Sequence, residues 1–316
     1  MMIIGIGELR DRWRGMAVHG GGYRLLDRCH PLDIRIGYGS NAHRSMIVKI
    51  PRGALGGGLP STAAIRTDLH RLAGKNEDCE VLEFLLTDDR CAEEFEHLCW
   101  DLVASTAAAA DPAAAIRARY DVWINLLRHR GDGTFSARRQ MGLLGELLYF
   151  SEQLELMPPA EVTEAWRGPE GADQDFVFAD RWTEIKAVTG GTEEVGISSP
   201  EQLGRPEPGS LVVYFLEHGP GLRGPLALPE VVAEVLERLQ AEEDALPAEK
   251  FRHGLFMYGY DFGQEDSYAQ RRCRLLERRE YAVAGDFPRL TRGSMPPAVA
   301  RCRYSLRLAA LGEHLI

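Results

Sequence analysis

Asp175, Glu184 and Lys186 have the types and spacing to hold a hard cation and act on a water molecule. Residues 175–180 (DFVFAD) and 181–188 (RWTEIKAV) are rich in aromatic and β-branched side chains and read as a hairpin. Side chains alternate faces along a strand, so Glu184 and Lys186 share a face with Trp182. A turn centred on Asp180-Arg181 pairs 179 with 182, 177 with 184 and 175 with 186. Directly paired residues point the same way, which puts both acids and the ammonium on one face. Any even-length turn on that centre keeps the parity, and a slip of one destroys it. Two carboxylates supply oxygen ligands of the kind Mg²⁺ takes. An adjacent Lys can orient or deprotonate a water and steady negative charge on phosphate, while the ion acidifies that water.

The competing reading of Glu-x-Lys is a salt-bridged solvent face. Composition weighs against it. Of 37 basic residues only Lys49, Lys75, Lys186 and Lys250 are Lys, yet one stands at 186 among Trp, Ile, Ala and Val. Lys is a compact, tunable point charge where Arg is a fixed fork. A third acid lies upstream in MGLLGELLYFSEQL (141–154). Leu143, Leu147, Phe150 and Leu154 form a helical stripe with Glu146 at its edge. A carboxylate there is costly unless paired or bound to a metal, the alternative being a snorkelling or capping Glu.

Around these residues the 316-residue chain divides into three expected segments. Residues 1–105 read as a β-rich N-terminal domain, with short strands in 23–28, 32–39, 45–51 and 79–86 and a helix over 88–105. Residues 106–220 form the core, with a helix opening at Pro112, the Glu146 helix, the hairpin, a helix start at 197–203 and a buried strand at 211–218. Ser199 and Gln202 have capping-box spacing there, with Pro200 at the first helical position. Residues 221–316 form a C-terminal α/β extension: an acidic helix over 229–246, strands at 251–262 and 299–308, and a basic patch at 270–283. That patch and Arg138 and Arg139 could track phosphate, or form a solvated face of Arg–Glu pairs. The element order gives an α/β (α+β) fold with a mixed central sheet flanked by helices. A net charge of −10 excludes a general nucleic-acid-coating surface but leaves room for a local basic groove. The six Cys show no zinc spacing and read as reduced thiols of a cytoplasmic protein. No signal peptide or membrane-spanning run is expected.

Glu on a helix followed by Asp and Glu-x-Lys on adjacent strands resembles the PD-(D/E)xK nuclease superfamily, whose fold is the restriction-endonuclease-like core. The whole chain looks more narrowly like the DUF4420 type, on GELLYFSEQL (145–154), Trp166 with Gly168, Asp175-Phe176, EIK (184–186), ISSPEQL (197–203) and FPRL (287–290). The resemblance implies a Mg²⁺-dependent DNA endonuclease, with Mn²⁺ able to substitute, of restriction or phage-defence context. An alternative is a catalytically silent nuclease-fold subunit that binds DNA or protein. Carried over by position, Asp175 and Glu184 hold the metal and Glu146 assists it. Lys186 then acts on the water, and Gln202 supports the site. The literal Pro of the motif is absent: Gln174 precedes Asp175, and Asp173 competes as a ligand. The implied partners are DNA, a second copy for double-strand cutting, and an ATPase or methyltransferase from a defence gene cluster, with no membrane.

Overall fold

The structure, a computed structural model, describes residues 4–16, 22–39, 42–72, 78–130, 135–218 and 224–316; the side chains of 125–130 and 218 lie outside that description. The chain forms two compact units, Met1–Asp132 and Gly133–Ile316.

The first unit opens with α1 (Ile6–Arg14). Five strands follow: β1 (Arg24–Leu25), β2 (Asp33–Tyr38), β3 (Arg44–Pro51), β4 (Ile65–Arg71) and β5 (Cys79–Leu86). They make an antiparallel sheet in the order β1-β2-β3-β5-β4. Two helices complete the unit, α2 (Ala92–Thr106) and α3 (Pro112–Arg130). Their bond is ionic as well as apolar: Asp101 on α2 accepts from the Trp123 indole at 2.7 Å and the Arg119 guanidinium at 2.5 Å on α3. The helix from Pro112 therefore belongs to this unit, and the segment boundary expected at 105 falls inside it.

The second unit carries α4 (Ala137–Leu154), α5 (Pro159–Ala165), β6 (Phe176–Val177), β7 (Trp182–Thr189), β8 (Glu194–Ile197) and β9 (Gly209–His218). After these come β10 (Leu226–Ala227), α6 (Leu228–Gln240), α7 (Leu246–Tyr258), α8 (Glu265–Ala269), β11 (Arg272–Val283) and β12 (Tyr304–Arg307). The sheet order is β10-β11-β9-β7-β6. It is mixed, since β7 and β9 run parallel and the other pairs antiparallel. A separate pair is formed by β8 and β12. The run LVVYFLEH behaves as a strand buried on both faces. Val212, Tyr214 and Leu216 meet the apolar layer of α4, α6 and α7; Leu211, Val213 and Phe215 meet Val195, Ile197 and Leu306 on the other.

Two expectations change here. No boundary falls at 220, because β11 pairs along the length of β9 and completes the same sheet. Residues 251–262 are not a strand: most belong to α7, with Pro247 in its first turn and Gly259 (φ +100°) past its end. Phe251 and Leu255, four apart, are both fully buried, so the helical period wins over the β-propensity of the aromatics. The last strand is shorter than expected, β12 being followed by 3-10 turns over Leu308–His314. All six Cys are free thiols. Among the described residues, no helix is long and apolar enough to cross a membrane.

Candidate metal centre

The expected hairpin forms, with its turn one position earlier than drawn. Phe176 pairs with Thr183 and Val177 with Trp182, and Phe178 N–H donates to Arg181 O at 2.8 Å, so the turn is Ala179-Asp180. Arg181 fixes it there by lying 4.2 Å over the Phe178 ring. The register differs from the expected one by two residues, and the parity survives. Glu184 and Lys186 share their face with Trp182, while Ile185 and Ala187 turn to α4. Asp175 lies just before β6, and its Oδ2 accepts from Ile185 N–H at 2.7 Å. Its carbonyl accepts from Arg167 and Gly168 N–H at 2.7 and 3.0 Å.

Glu146 arrives from the other face. Its helix starts under a Ser136 cap, the hydroxyl accepting from Arg139 N–H. Its apolar stripe is buried at Leu143, Leu147 and Phe150. Gly145 allows the close approach, since a Cβ there would stand 2.8 Å from the Ala187 Cβ. The next side chain, Glu146, is buried at 5% exposure and accepts from the Trp166 indole N–H at 2.8 Å and from the Tyr258 hydroxyl. A Cβ at Gly168 would collide with Glu146 Oε2 and lie 3.2 Å from Asp175 Oδ1. Glycine at 168 thus leaves a small cradle between the two acids.

Lys186 Nζ donates to Glu184 Oε1 at 2.5 Å and to Gln202 Oε1 at 3.3 Å. Gln202 sits on a 3-10 turn, Pro200–Leu203, and its Oε1 also accepts from Ser198 N–H at 2.7 Å. No capping box forms at Ser199, because the Gln202 side chain bonds one residue further back and turns to Lys186. Gln174, in place of the motif's Pro, is buried and donates from Nε2 to the carbonyls of Glu201 and Gln202 at 2.6 and 3.2 Å. It ties the Gln202 turn to the residue beside Asp175. Gln174→Ala is expected to lower any Lys186-dependent catalytic rate by about tenfold, consistent with losing one or two buried hydrogen bonds. An unchanged rate in a kinetic comparison with wild type would remove Gln174 from the positioning network.

The electrostatics are those of an acid-rich dry site. Burial pushes the Glu184 carboxyl up to about 8, the Asp175 charge adds to the rise, and Lys186 opposes it. Burial also raises Glu146 and Asp175, the first further through the Asp175 charge. For Lys186, burial favours the neutral amine, but Glu184 and Asp175 outweigh it and the ammonium is held. Lys186 is therefore a donor here and not a free base. Glu184 is 1% exposed, and its Oε2 has no hydrogen-bond partner.

That orphaned oxygen, the cradle at Gly168 and the all-carboxylate donor set fit a hard divalent cation. The three acids do not all approach within 4.8 Å of one another. Among the described residues the trio that does is Asp68, His70 and Glu83 on the N-terminal sheet. There Asp68 pairs with Arg66, and Glu83 accepts from Tyr23 and Ser45. Asp173 is exposed, and its charge is the least of those acting on Glu184, which disfavours it as a competing ligand.

Of the five expected site residues, Glu146, Asp175, Glu184 and Lys186 act on one another's charges, and Gln202 joins them through its hydrogen bond to Lys186. Sequence reasoning missed Tyr258, hidden by the misread of α7, and assigned no contact to Trp166 or Gln174. Trp166 carried the one available signal, a large aromatic with an N–H donor standing among charged neighbours, Glu164, Arg167 and Glu170. The basic patch of 270–283 is largely paired: Arg272 with Glu230, Arg274 with Glu217, Arg278 with Glu152 and Glu280, Arg279 with Glu277.

No curated protein and no solved structure matches the chain. One family does, over residues 9–309, under the description "Putative PD-(D/E)XK family member" (DUF4420). That match takes in both units and every residue of the centre, and the chain belongs to this family.

Proposed function

We propose that the chain is a metal-dependent DNA endonuclease, a phosphodiester hydrolase of restriction or phage defence acting in the cytoplasm. The observation that supports it most is the Lys186 ammonium clamped between Glu184 and Gln202 beside the unpartnered Glu184 Oε2. Asp175, Glu184 and Glu146 would hold Mg²⁺, with Mn²⁺ able to replace it, and the ion would supply an acidified water and charge for the leaving oxygen. The protein's own groups do the rest. An ammonium has three donors, and Lys186 spends two of them on Glu184 and Gln202. The third is left to orient the attacking water or a phosphate oxygen. Ser198 N–H fixes the Gln202 amide so that its carbonyl faces Lys186. The Trp166 indole and Tyr258 hydroxyl hold Glu146 against Asp175 at the Gly168 cradle. A duplex cut on both strands calls for two such centres, hence a second copy, and a defence setting calls for an ATPase or methyltransferase partner.

A silent DNA- or protein-binding subunit is the second reading. It is favoured by the Arg–Glu pairing along β11, which leaves that strand poor in cations for phosphate. Incubation with supercoiled plasmid, with Mg²⁺, with Mn²⁺ and with a chelator, separates the two. Nicked and linear products that appear only with metal are expected. Intact plasmid under all three conditions, with binding retained in a gel shift, would favour the silent subunit.

A further inference from the structure

One cavity of the second unit lies apart from the metal centre. It has a volume of about 480 Å³ and sits among the start of α4, the start of α6 and the start of β11. Its floor is apolar, from Met141, Leu144 and Leu228. Arg138 and Arg271 line it, both are exposed, and neither has an ion-pair partner among the described residues. Their neighbour Arg272 is spent on Glu230 and on the Gly224 carbonyl. Two helices of 18 and 13 residues begin at this cavity, and α6 has no side-chain cap. Their first N–H groups lack intrahelical acceptors and favour an anion.

Gln140 supplies the independent observation. It lines the cavity at 9% exposure, and its Nε2 donates to Phe135 O at 2.7 Å. Its Oε1 is buried and accepts from nothing in the protein. An amide oxygen left so is costly unless a donor from elsewhere reaches it.

We propose that this cavity binds a nucleotide, with the heterocycle over Met141, Leu144 and Leu228 and the phosphate at the rim on Arg138 and Arg271. A ring N–H or exocyclic amine would answer Gln140 Oε1. A bare phosphate would leave the apolar floor and most of the volume unused, and an acyl chain would offer Gln140 no donor. The nucleotide has two sources, a free one or one turned out of a DNA strand. Gln140 and Glu146 are six residues apart on α4, about 9 Å along the axis. The strand-borne source rests on the DNA reading proposed above; the free source does not.

The test uses the full-length Lys186→Ala protein, so that cleavage plays no part. Calorimetric titration with dAMP, dGMP, dCMP, TMP and ATP is compared with inorganic phosphate. A duplex carrying 2-aminopurine opposite an abasic site reports a base leaving the stack. At least one nucleotide is expected to bind tenfold or more tighter than phosphate. Arg138→Ala with Arg271→Ala should weaken it at least tenfold, and these exposed positions do not threaten folding. Gln140→Leu should weaken nucleotide binding and leave phosphate binding unchanged. A fluorescence rise that free nucleotide competes away assigns the strand as source; nucleotide binding without that rise assigns the free ligand. The proposal is overturned if no nucleotide outbinds phosphate and the fluorescence is flat. Binding that survives the double Arg variant would overturn it equally. If cleavage fails while nucleotide binds, the cavity stands and the endonuclease reading falls.

Discussion

Lys186→Ala is expected to slow metal-dependent DNA cleavage by about 10²–10³-fold, the range found when one preorganised donor to developing charge is removed. Among the described residues, Nζ is the cation joined to Glu184 Oε1 and Gln202 Oε1. Removing it costs the orienting donor and leaves two acceptors facing each other in a buried site. Lys186→Arg should not restore the rate. A guanidinium presents a planar fork and cannot occupy the same point between Glu184 and Gln202. Plasmid nicking rates at saturating Mg²⁺ measure this, with circular dichroism as the folding control. A Lys186→Ala protein that cuts at the wild-type rate would move the chemistry to another part of the molecule.

The second large effect is a dependence of stability on pH in the metal-free protein. Glu184 has its carboxyl raised to about 8 by burial and by Asp175, and Glu146 and Asp175 are raised as well. Between the unfolded value, near 4.5, and about 8 the folded state binds more protons than the unfolded chain. Stability therefore falls as pH rises through that window. Lys186 adds no slope there, since its raised value keeps it charged in both states throughout. Glu164, Glu201 and Glu230 are lowered and titrate below the window. At about 1.4 kcal/mol per unit, Glu184 alone contributes on the order of 3 kcal/mol between pH 5.5 and 8. A Tm lower by about 5 °C or more at pH 8.5 than at pH 5.5 is expected in the presence of a chelator. Glu184→Gln should flatten the slope, because an amide has no proton to lose. Mg²⁺ should stabilise wild type more at pH 8.5 than at pH 5.5, since metal and protons compete for the same oxygens. A Tm that climbs across the window, or a slope untouched by Glu184→Gln, would show that the carboxyl ionises freely in the fold.

The centre could be read from sequence because its geometry depends on parity. The turn moved from 180–181 to 179–180, and Glu184 and Lys186 stayed on the Trp182 face since the register changed by two. The shifted turn is closed by a local pair, the Arg181 guanidinium over the Phe178 ring, which turn propensities alone do not encode. The stripe through Leu143, Leu147 and Phe150 placed Glu146 in the same way, and the tight packing of Gly145 on Ala187 completed it. Residues 251–262 failed because aromatic β-propensity hid a helix whose signals, Pro247 and Gly259, stood at its ends. Tyr258 was lost with it. Gln174 was treated as a missing Pro, whereas the structure makes it the clamp on the Gln202 turn.

Asp175 and Glu184 are secured very differently. Glu184 lies in an eight-residue strand with a parallel neighbour along its length. Asp175 precedes a two-residue edge strand, anchored by the Arg167 and Gly168 amides, the Ile185 amide and a single bridge from Trp166 to Phe176. Local opening draws on the elements with the fewest bonds to break, and β6 is such an element. Fraying of this one margin would carry off a ligand while the remaining strands kept Glu184 and Lys186 in register. The centre is therefore weakest at its rim, where opening would break a few backbone bonds and uncover Phe176 while the longer strands stayed paired.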